Sequence, residues 1–401
     1  MNLLDSLQDY TQFVTLRRDI HAHPELGFEE HRTSGIVAKL LGEWGVEVHK
    51  GVAGTGVVGV LRGGDSARAI GLRADMDALP LQESNRFPHR SLNDGRMHAG
   101  GHDGHTTMLL AAAWHLAQNR DFNGTVNFIF QPAEEMGKAG AKKMIEDGLF
   151  ERFPCEAVFA LHNFPVGETG SFAVNYGALM ASSNTWRVIL RGRGTLASMP
   201  HTGLEPVAAA VNLAQQLQTL VPRVVDSRER ALLAVTQIQG SDAPNVIPDQ
   251  AWVGGTVRTF SVDVTDTIEA GLRQIAEHTA RAHGCTAEVS FVRASPPVVN
   301  HEAEARFAAG VMRELVGADK VDDQFPAVLG AEDFAHMLRA RPGCYAFIGN
   351  GDGAHRLPEH GSGPCIIHNT SFDFNDSIIP VGASYFVRLA QSWLSRNQEQ
   401  K

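Results

Sequence analysis

The order of predicted strands and helices changes twice along the chain, and these changes constrain the fold more than any other feature. Between residues 56 and 161, short apolar runs that predict buried strands alternate with amphipathic stretches that predict helices. This alternation is typical of an α/β fold with a mostly parallel central sheet and helices on its faces. Between residues 183 and 295 the order becomes β-α-β-β-α-β, which is typical of a ferredoxin-like α+β unit.

The helix–strand alternation then resumes, so we predict a catalytic domain in two pieces, 1–182 and 296–401, with a smaller domain, 183–295, inserted between them. A chain of 401 residues is too long for one simple core and suits two domains of ordinary size. Helices are predicted at about 4–22, 30–44, 104–119, 137–147, 204–220 and 263–283. Strands are predicted at 56–62, 69–74, 125–131, 156–161, 185–192 (TWRVILRG), 231–239, 251–259 and 286–293.

Composition and charge exclude several classes of protein. The formal net charge is −10 and no block of lysines and arginines stands out, which indicates no nucleic-acid partner. No stretch approaches the roughly 18 apolar residues of a membrane span, and the N-terminus does not have the pattern of a signal peptide. The four cysteines are far apart and form no CxxC pair, so we expect reduced thiols and a cytoplasmic protein.

Two segments concentrate residue types that bind metal ions. Three histidines and an aspartate occur in the Gly-rich stretch MHAGGHDGHTTMLL, residues 97–110, directly before a helix. In FIFQPAEEMGKAG, residues 128–140, Glu134 and Glu135 follow a very apolar strand. Burying adjacent carboxylates is costly unless a cation compensates them, and one glutamate can then bind the metal while the other serves as general base. Alternatively, the histidines cap the helix and the glutamates open an exposed helix.

Three further segments place candidate residues near strand ends, where ligands bind in α/β sheets. His162 ends the apolar run of VFALHNFP, residues 158–165. Asp75 and Asp77 follow another strand in RADMDALP and are candidates for orienting a metal-binding histidine from behind. His368 lies in the polar segment GPCIIHNTSFDFND, and it would be a distant ligand from the second piece of the catalytic domain.

Taken together, these segments resemble the M20 metallopeptidase family, in particular its aminoacylase and hippurate-hydrolase branch, which includes the plant indole-acetyl amino acid hydrolases. The resemblance covers essentially the whole chain. It implies a zinc-peptidase-like catalytic domain with an inserted lid domain that forms a dimer or tetramer interface. The motifs that carry it, in the family's order, are RRDIHAHPELGFEE, GLRADMDALP, MHAGGHDGHT, FQPAEE, LHNFP, NVIPD, GTVRTF, GAEDF and HNTSFDFND.

The resemblance also implies a role for individual residues in the hydrolysis of small N-acyl amino acids. Glu134 resembles the general base that takes a proton from a metal-bound water. Asn245 and Arg258, from NVIPD and GTVRTF, resemble residues that bind the substrate carboxylate, for which the arginine fork is suited. The implied cofactor is one or two divalent ions, manganese, zinc, nickel or cobalt. The implied metal ligands are His102, Glu135, His162 and His368.

Two positions depart from the pattern of this branch. The branch normally has a metal-binding cysteine in MHACGHDGH, and Gly100 stands in its place here. The branch usually also has an oxyanion-holding histidine in the lid, and RGRGTLASMPH places Leu196 there, while His201 of the same segment remains. Losing one oxyanion donor costs on the order of 100- to 1000-fold in rate.

Three accounts of these departures stay open at this point. The first is a working hydrolase with a different substrate and a retuned site that holds one ion or two. The second is a homologue that has lost hydrolysis and binds an acylated amino acid or related ligand. The third is a deliberately altered version of an ordinary amidohydrolase. The other candidate residues are intact, which favours the first account. An apolar Leu196 would then favour a bulkier or more apolar substrate group, and Leu196→His should lower activity on the native substrate.

Overall fold

The computed structural model describes residues 10–165 and 167–396, and the chain divides into two compact units. The first unit contains the chain up to Leu179, Val299–Pro326 and the chain from Asp333 onward. The second contains Met180–Val298 and also the short segment Ala327–Glu332. These bounds differ by a few residues from the predicted ones. The prediction assigns the segment Ala327–Glu332 to the catalytic domain, whereas the structure includes it in the second unit.

The first segment alternates strands and helices, and its buried strands coincide with the predicted apolar runs. The predicted helix 137–147 is wrong at its start, because Ala139 has a left-handed φ of 56° and the α-helix begins only after it. Part of the predicted helix 4–22 lies outside the described residues. The elements are α1 Thr11–Ala22, α2 His31–Glu43, β1 Glu47–Val52, β2 Gly56–Gly63, β3 Ala69–Asp75, α3 His102–Gln118, β4 Gly124–Gln131, a 3-10 turn Glu135–Gly137, α4 Gly140–Glu146, α5 Leu149–Arg152, β5 Ala157–Phe164, β6 Phe172–Ala173 and β7 Ala178–Met180.

The second unit has the predicted ferredoxin-like arrangement. Its four-stranded sheet is antiparallel, with strand order β10-β12-β8-β13, and its two long helices pack on the sheet around their own apolar core. The short strands β9 and β11 form a separate two-stranded ribbon. The elements are β8 Ser183–Arg191, β9 Thr195–Leu196, a 3-10 turn Pro200–Thr202, α6 Pro206–Leu217, α7 Leu220–Val224, β10 Ala231–Gln239, β11 Val246–Ile247, β12 Gln250–Thr259, α8 Val262–Ala282, β13 Thr286–Ser295 and β14 Val298–Val299.

The remaining elements complete the eight-stranded sheet of the first unit. Its strand order is β1-β2-β4-β3-β5-β16-β6-β15, and the four central strands from β4 to β16 run parallel. The prediction of a mostly parallel central sheet is therefore confirmed for its core. These elements are α9 Glu302–Val316, a 3-10 turn Ala318–Lys320, β15 Val321–Asp322, α10 Ala335–Ala340, β16 Gly343–Gly349, a 3-10 turn Asp376–Ile378 and α11 Ile379–Ser395.

The central strands are buried on both faces, as parallel strands covered by helices must be. Strands β3 and β16 are buried along their whole length, and α3 and α11 pack against each other above the sheet. The apolar side chains of this core fix the strand positions and leave the loops at the carboxyl edge free to carry polar residues. Among the described residues, no helix combines the length and apolar character that a membrane crossing needs.

Candidate metal centre

The carboxyl edge of the parallel strands brings the candidate residues together. Glu134 and Glu135 follow β4, and His162 lies near the end of β5. His102 is the first residue of α3. His368 comes from the loop after β16, where it has a left-handed φ of 63° that few residues other than glycine adopt. Parallel strands present their carboxyl ends at one edge, so four separate segments of the chain converge there.

Short distances connect these side chains. His368 Nε2 lies 3.1 Å from Glu135 Oε1, and His102 Nε2 lies 4.0 Å from the same oxygen. The rings of His102 and His162 have centroids 5.8 Å apart, and potential ligand atoms of His102, Glu134 and Glu135 all lie within 4.8 Å of one another. Glu135 is buried, so the glutamates do not simply open an exposed helix. The structure therefore groups all five residues on which the sequence hypothesis rests.

Two adjacent glycines shape the turn before α3. Gly101 has a φ of 95°, and a Cβ there would lie 2.2 Å from Asn163 Oδ1, so only glycine fits. A Cβ on Gly100 would lie 2.9 Å from His102 Nε2 and 3.1 Å from Glu135 Oε1. Any side chain at position 100 would therefore enter the cluster itself. The N-cap residue of α3 is Gly101, and the Nδ1 atoms of His102 and His105 contact Asp77 and Asp75, which does not match a capping role for these two histidines.

Asp77 contacts both His102 and the loop that carries the two glutamates. Its Oδ1 lies 3.3 Å from His102 Nδ1, which turns the Nε2 atom of that ring toward the cluster. The same carboxylate accepts the backbone N–H groups of Glu134 at 3.0 Å and of Glu135 at 2.9 Å. One buried side chain thus fixes both a candidate ligand and the two adjacent glutamates. A hydrogen bond to the ring nitrogen that does not bind the metal sets the tautomer and orientation of a histidine ligand.

Glu30 is a second supporting carboxylate, and the sequence analysis did not identify it. It is fully buried, its Oε1 accepts the backbone N–H of Ala133 at 2.8 Å, and its Oε2 accepts the hydroxyl of Thr55. Ala133 and Met136, on either side of the two glutamates, have left-handed φ angles of 54° and 61°. Such conformations cost of order 1–3 kcal/mol each and persist where surrounding contacts impose them. Glu30 and Asp77 together bind three consecutive N–H groups of this strained loop.

Asp75 supports a histidine that the sequence hypothesis left out. His105 Nδ1 donates to Asp75 Oδ1 at 2.6 Å, and His105 Nε2 accepts the backbone N–H of Asn163 at 3.0 Å. The other oxygen, Asp75 Oδ2, lies 3.8 Å from His102 Nε2, so this carboxylate reaches into the cluster. The spacing of His102 and His105, one helical turn apart at the start of a helix, is the sequence signal that could have identified His105.

The charges of the cluster favour a cation. Burial lowers the pKa of His102, but Asp75, Asp77 and Glu135 outweigh it and raise this pKa to about 10. Burial raises the pKa of Asp75, but the neighbouring His102 and Arg73 hold it well below its ordinary value, so this carboxylate stays ionised. Burial, together with His105, lowers the pKa of His162 well below its ordinary value. A neutral imidazole has the lone pair that a metal ion needs.

The hydrogen bond made by His162 also leaves its Nε2 atom available to bind a metal ion. Its Nδ1 donates to the backbone carbonyl of Asn163 at 2.6 Å, which leaves Nε2 as the nitrogen with the lone pair. Imidazole nitrogens and carboxylate oxygens are the donor set that Mn²⁺, Zn²⁺, Ni²⁺ and Co²⁺ bind in proteins. The residues present at this edge of the sheet therefore fit a divalent metal ion.

The four lid residues that the sequence singled out lie in the second unit. Leu196 on β9 pairs with Val246 on β11, and the carbonyl of Asn245 accepts the N–H of Ala197 at 3.0 Å, so Leu196 and Asn245 are neighbours on one ribbon. His201 lies in the exposed 3-10 turn that follows β9. Arg258 is half-buried on a different strand, β12. Leu196 and Asn245 thus lie on the two-stranded ribbon, whereas Arg258 lies on a strand of the four-stranded sheet.

A cluster of histidines and carboxylates that fits a divalent ion, at the carboxyl edge of a mostly parallel sheet, is typical of metal-dependent hydrolases. Residues 71–392 match the model of peptidase family M20/M25/M40. The match covers most of the chain, and the chain belongs to this family.

Similarity to individual relatives extends along almost the whole chain. It is 39% identical to the hippurate hydrolase of Campylobacter jejuni, over 98% of this chain and 100% of that protein. It is 38% identical to an IAA-amino acid hydrolase of Arabidopsis thaliana, over 95% of this chain and 86% of that protein. Among solved structures, a dinuclear metal-binding M20 peptidase of Bacillus subtilis matches with a TM-score of 0.82 and 32% identity, over 96% of this chain and 98% of that one.

Proposed function

We propose that this protein hydrolyses the amide bond of N-acyl amino acids, with Glu134 as the general base. One observation carries the proposal: a ligand atom of Glu134 lies within 4.8 Å of those of His102 and Glu135, in a cluster that fits a divalent ion. When bound, such an ion makes a water more acidic and polarises the scissile carbonyl. The proposed ligands are His102, Glu135, His162 and His368.

Glu134 takes a proton from the attacking water at its carboxylate and returns that proton to the nitrogen of the leaving amine. This step needs a carboxylate held at a fixed position relative to its neighbour, Glu135. The bonds from Asp77 to the N–H groups of both residues supply that constraint. Ala133 and Met136, on either side of the pair, have left-handed φ angles, so this segment does not continue as a regular helix. In a regular helix the side chains of consecutive residues do not face each other.

The class of substrate is inferred from the relatives. Hippurate hydrolase and IAA-amino acid hydrolase are both names for enzymes that cleave an amino acid acylated on its nitrogen. The free carboxylate of such a substrate needs a cationic partner, and we assign this role to Arg258 with the help of Asn245. Burial lowers the pKa of Arg258, yet an arginine stays charged at neutral pH. His201 is a further candidate contact.

The test is amine release from a panel of N-acyl amino acids by protein loaded with Mn²⁺, Zn²⁺, Ni²⁺ or Co²⁺. We expect release with at least one metal and at least one acyl group, and loss of release after chelation. Arg258→Ala should raise KM for these substrates far more than for the corresponding amino acid amides, which have no carboxylate. Ligand binding with no release over the whole panel would instead support the non-hydrolytic alternative and contradict the proposal.

We also propose a cellular compartment and an oligomeric state for this protein. All four cysteines are buried and unpaired, which suits a reducing cytoplasm.

The second unit exposes apolar side chains, among them Val207 and Val211 on α6, and we infer that it joins two copies of the chain. Light scattering should give twice the monomer mass, and a charge placed at Val211 should reduce that mass. A monomer at high concentration would contradict this assignment.

A further inference from the structure

The candidate ligands form two pairs with different surroundings. The inner pair is His102 and His162, and the outer pair is Glu135 and His368. Position 100 lies between them, because a Cβ there would touch His102 Nε2 of the inner pair and Glu135 Oε1 of the outer pair. We propose that Gly100 divides the centre into one strong and one weak metal site: the inner pair holds an ion tightly, and the outer pair holds a second ion at least about 100-fold more weakly. This inference rests on the proposed function.

The inner pair has the support that tight metal binding needs. Asp77 orients His102 through Nδ1, and the carbonyl of Asn163 orients His162 in the same way. The carboxylate of Asp75 lies beside this pair, with its Oδ2 3.8 Å from His102 Nε2. Potential ligand atoms of Asp75, His102, His105 and His162 all lie within 4.8 Å of one another. Buried, oriented and negatively charged donors of this kind bind a divalent ion strongly.

The outer pair is more open. The side chain of His368 is 55% exposed, and its residue lies in a left-handed conformation in a loop. Water competes for donors at such a position, and loop freedom must be lost when an ion binds. The other donor, Glu135, is shared with the inner pair through its Oε1, which lies 4.0 Å from His102 Nε2.

Gly100 is the position at which one side chain could serve both pairs. A donor atom attached to a Cβ that lies 2.9 Å from one ligand atom and 3.1 Å from another would bridge two ions. Glycine supplies nothing there, so each ion must rely on its own pair. The missing donor matters more for the outer ion, because the inner pair keeps the buried Asp75 carboxylate beside it and His368 of the outer pair is half exposed. Even the loss of a supporting hydrogen bond costs 10- to 100-fold in metal affinity, and a lost ligand costs more.

Ion counting tests the inference independently of activity. Chelator-stripped full-length protein is dialysed against increasing Co²⁺ or Zn²⁺, and the ions per chain are measured by mass spectrometry. We expect one ion at low free metal and a second only at about 100-fold higher concentration. Gly100→Cys should bring the second ion in with an affinity within about 10-fold of the first, and the Co²⁺ protein should gain a thiolate-to-metal absorption band in the near ultraviolet.

Two controls separate bridging from a steric effect. Gly100→Ala adds the Cβ without a donor, so it should gain neither the second ion nor the band. His368→Ala, which leaves position 100 unchanged, should keep the first ion, whereas His162→Ala should lose it. His368→Ala and His162→Ala show whether the two pairs bind metal with unequal strength, even if Gly100→Cys does not fold.

The outcomes that overturn the inference differ from those that overturn the proposed function. Two ions of similar affinity in the unmodified protein, or a first ion lost in His368→Ala and retained in His162→Ala, would contradict unequal sites. One tight ion without any amide hydrolysis would leave the inference standing and remove the proposed substrate class. An unmodified protein that binds no ion at all would overturn both.

Discussion

Glu30 accepts the backbone N–H of Ala133 at 2.8 Å, directly before the two glutamates of the candidate metal centre. The two residues are 103 positions apart in the chain, and the bond is fully buried. Ala133 has a left-handed φ of 54°, and it directly precedes Glu134 and Glu135, whose ligand atoms reach the same cluster. Glu30 is therefore a positioning residue that acts through the backbone of the loop.

Removal of this carboxylate should slow the reaction without weakening substrate binding. We expect Glu30→Ala to lower kcat about 10- to 100-fold and to leave KM within a few-fold, because the displaced group is Glu134. Glu30→Gln should recover most of the rate, since its amide oxygen can accept from Ala133 while its NH₂ donates to Thr55. The adjacent and exposed Glu29 gives the matched control, and Glu29→Ala should behave like the unmodified protein. An equal rise in KM and fall in kcat for Glu30→Ala would indicate general loosening instead.

Asp77 should affect metal binding directly, unlike Glu30. Asp77→Asn retains one acceptor oxygen where the carboxylate now serves His102, Glu134 and Glu135 together. We expect metal affinity to fall by about 10- to 100-fold, measured by competition with a chromophoric chelator. Asp65→Asn neutralises an exposed carboxylate of the same unit and should leave the affinity unchanged. Unchanged affinity in Asp77→Asn would show that orientation of His102 does not depend on this bond.

A buried ion pair between Arg17 and Asp373 predicts how stability depends on pH. Arg17 Nη1 lies 3.1 Å from Asp373 Oδ1, and both side chains are buried. Burial raises the pKa of Asp373, but Arg17 and His89 lower it to about 2, from an ordinary 3.8. Because the folded-state pKa is depressed, this stabilisation is present above the ordinary pKa and is lost as the pH falls toward 2. It amounts to about 2 kcal/mol at neutral pH.

The measurement compares urea unfolding of the unmodified protein and Asp373→Asn at pH 6 and pH 3. The variant should be less stable at pH 6, and about half of the roughly 2 kcal/mol that depends on the charge should disappear at pH 3. Asp319→Asn, at an exposed carboxylate, is the control and should show no such convergence. A stability difference that stays constant between the two pH values would mean that the charge of Asp373 does not contribute.

Much of the architecture could be predicted from local patterns. The buried strands β2 to β5 and the β-α-β-β-α-β unit follow from apolar runs and their order. Strand β1 was missed because its sequence, EVHKGV, is mostly polar and its side chains are largely exposed at the sheet edge. The start of α4 was misplaced because Ala139, an ordinary helix-forming residue, is held in a left-handed conformation. Tertiary contacts overrode a local preference there.

The metal centre was only partly predictable for a related reason. Residues that lie in recognisable segments, such as His102 and Glu135, could be named from the sequence alone. Glu30 could not, because its partner is 103 residues away and no local pattern marks a carboxylate that binds backbone N–H groups. The consequence of Gly100 also needed coordinates, since only the distances to His102 and Glu135 show that position 100 lies between two pairs of donors.

The division of roles between Glu134 and Glu135 is the central claim, and paired variants test it most directly. Glu134→Gln and Glu135→Gln are each measured for metal content and for the rate of amine release from a good N-acyl amino acid. We predict that Glu134→Gln retains its tightly bound ion while kcat falls by about 10²- to 10⁴-fold, as expected for removal of a general base. Glu135→Gln should instead lose metal affinity. A Glu134→Gln protein that keeps its ion and more than a tenth of the original rate would contradict the account.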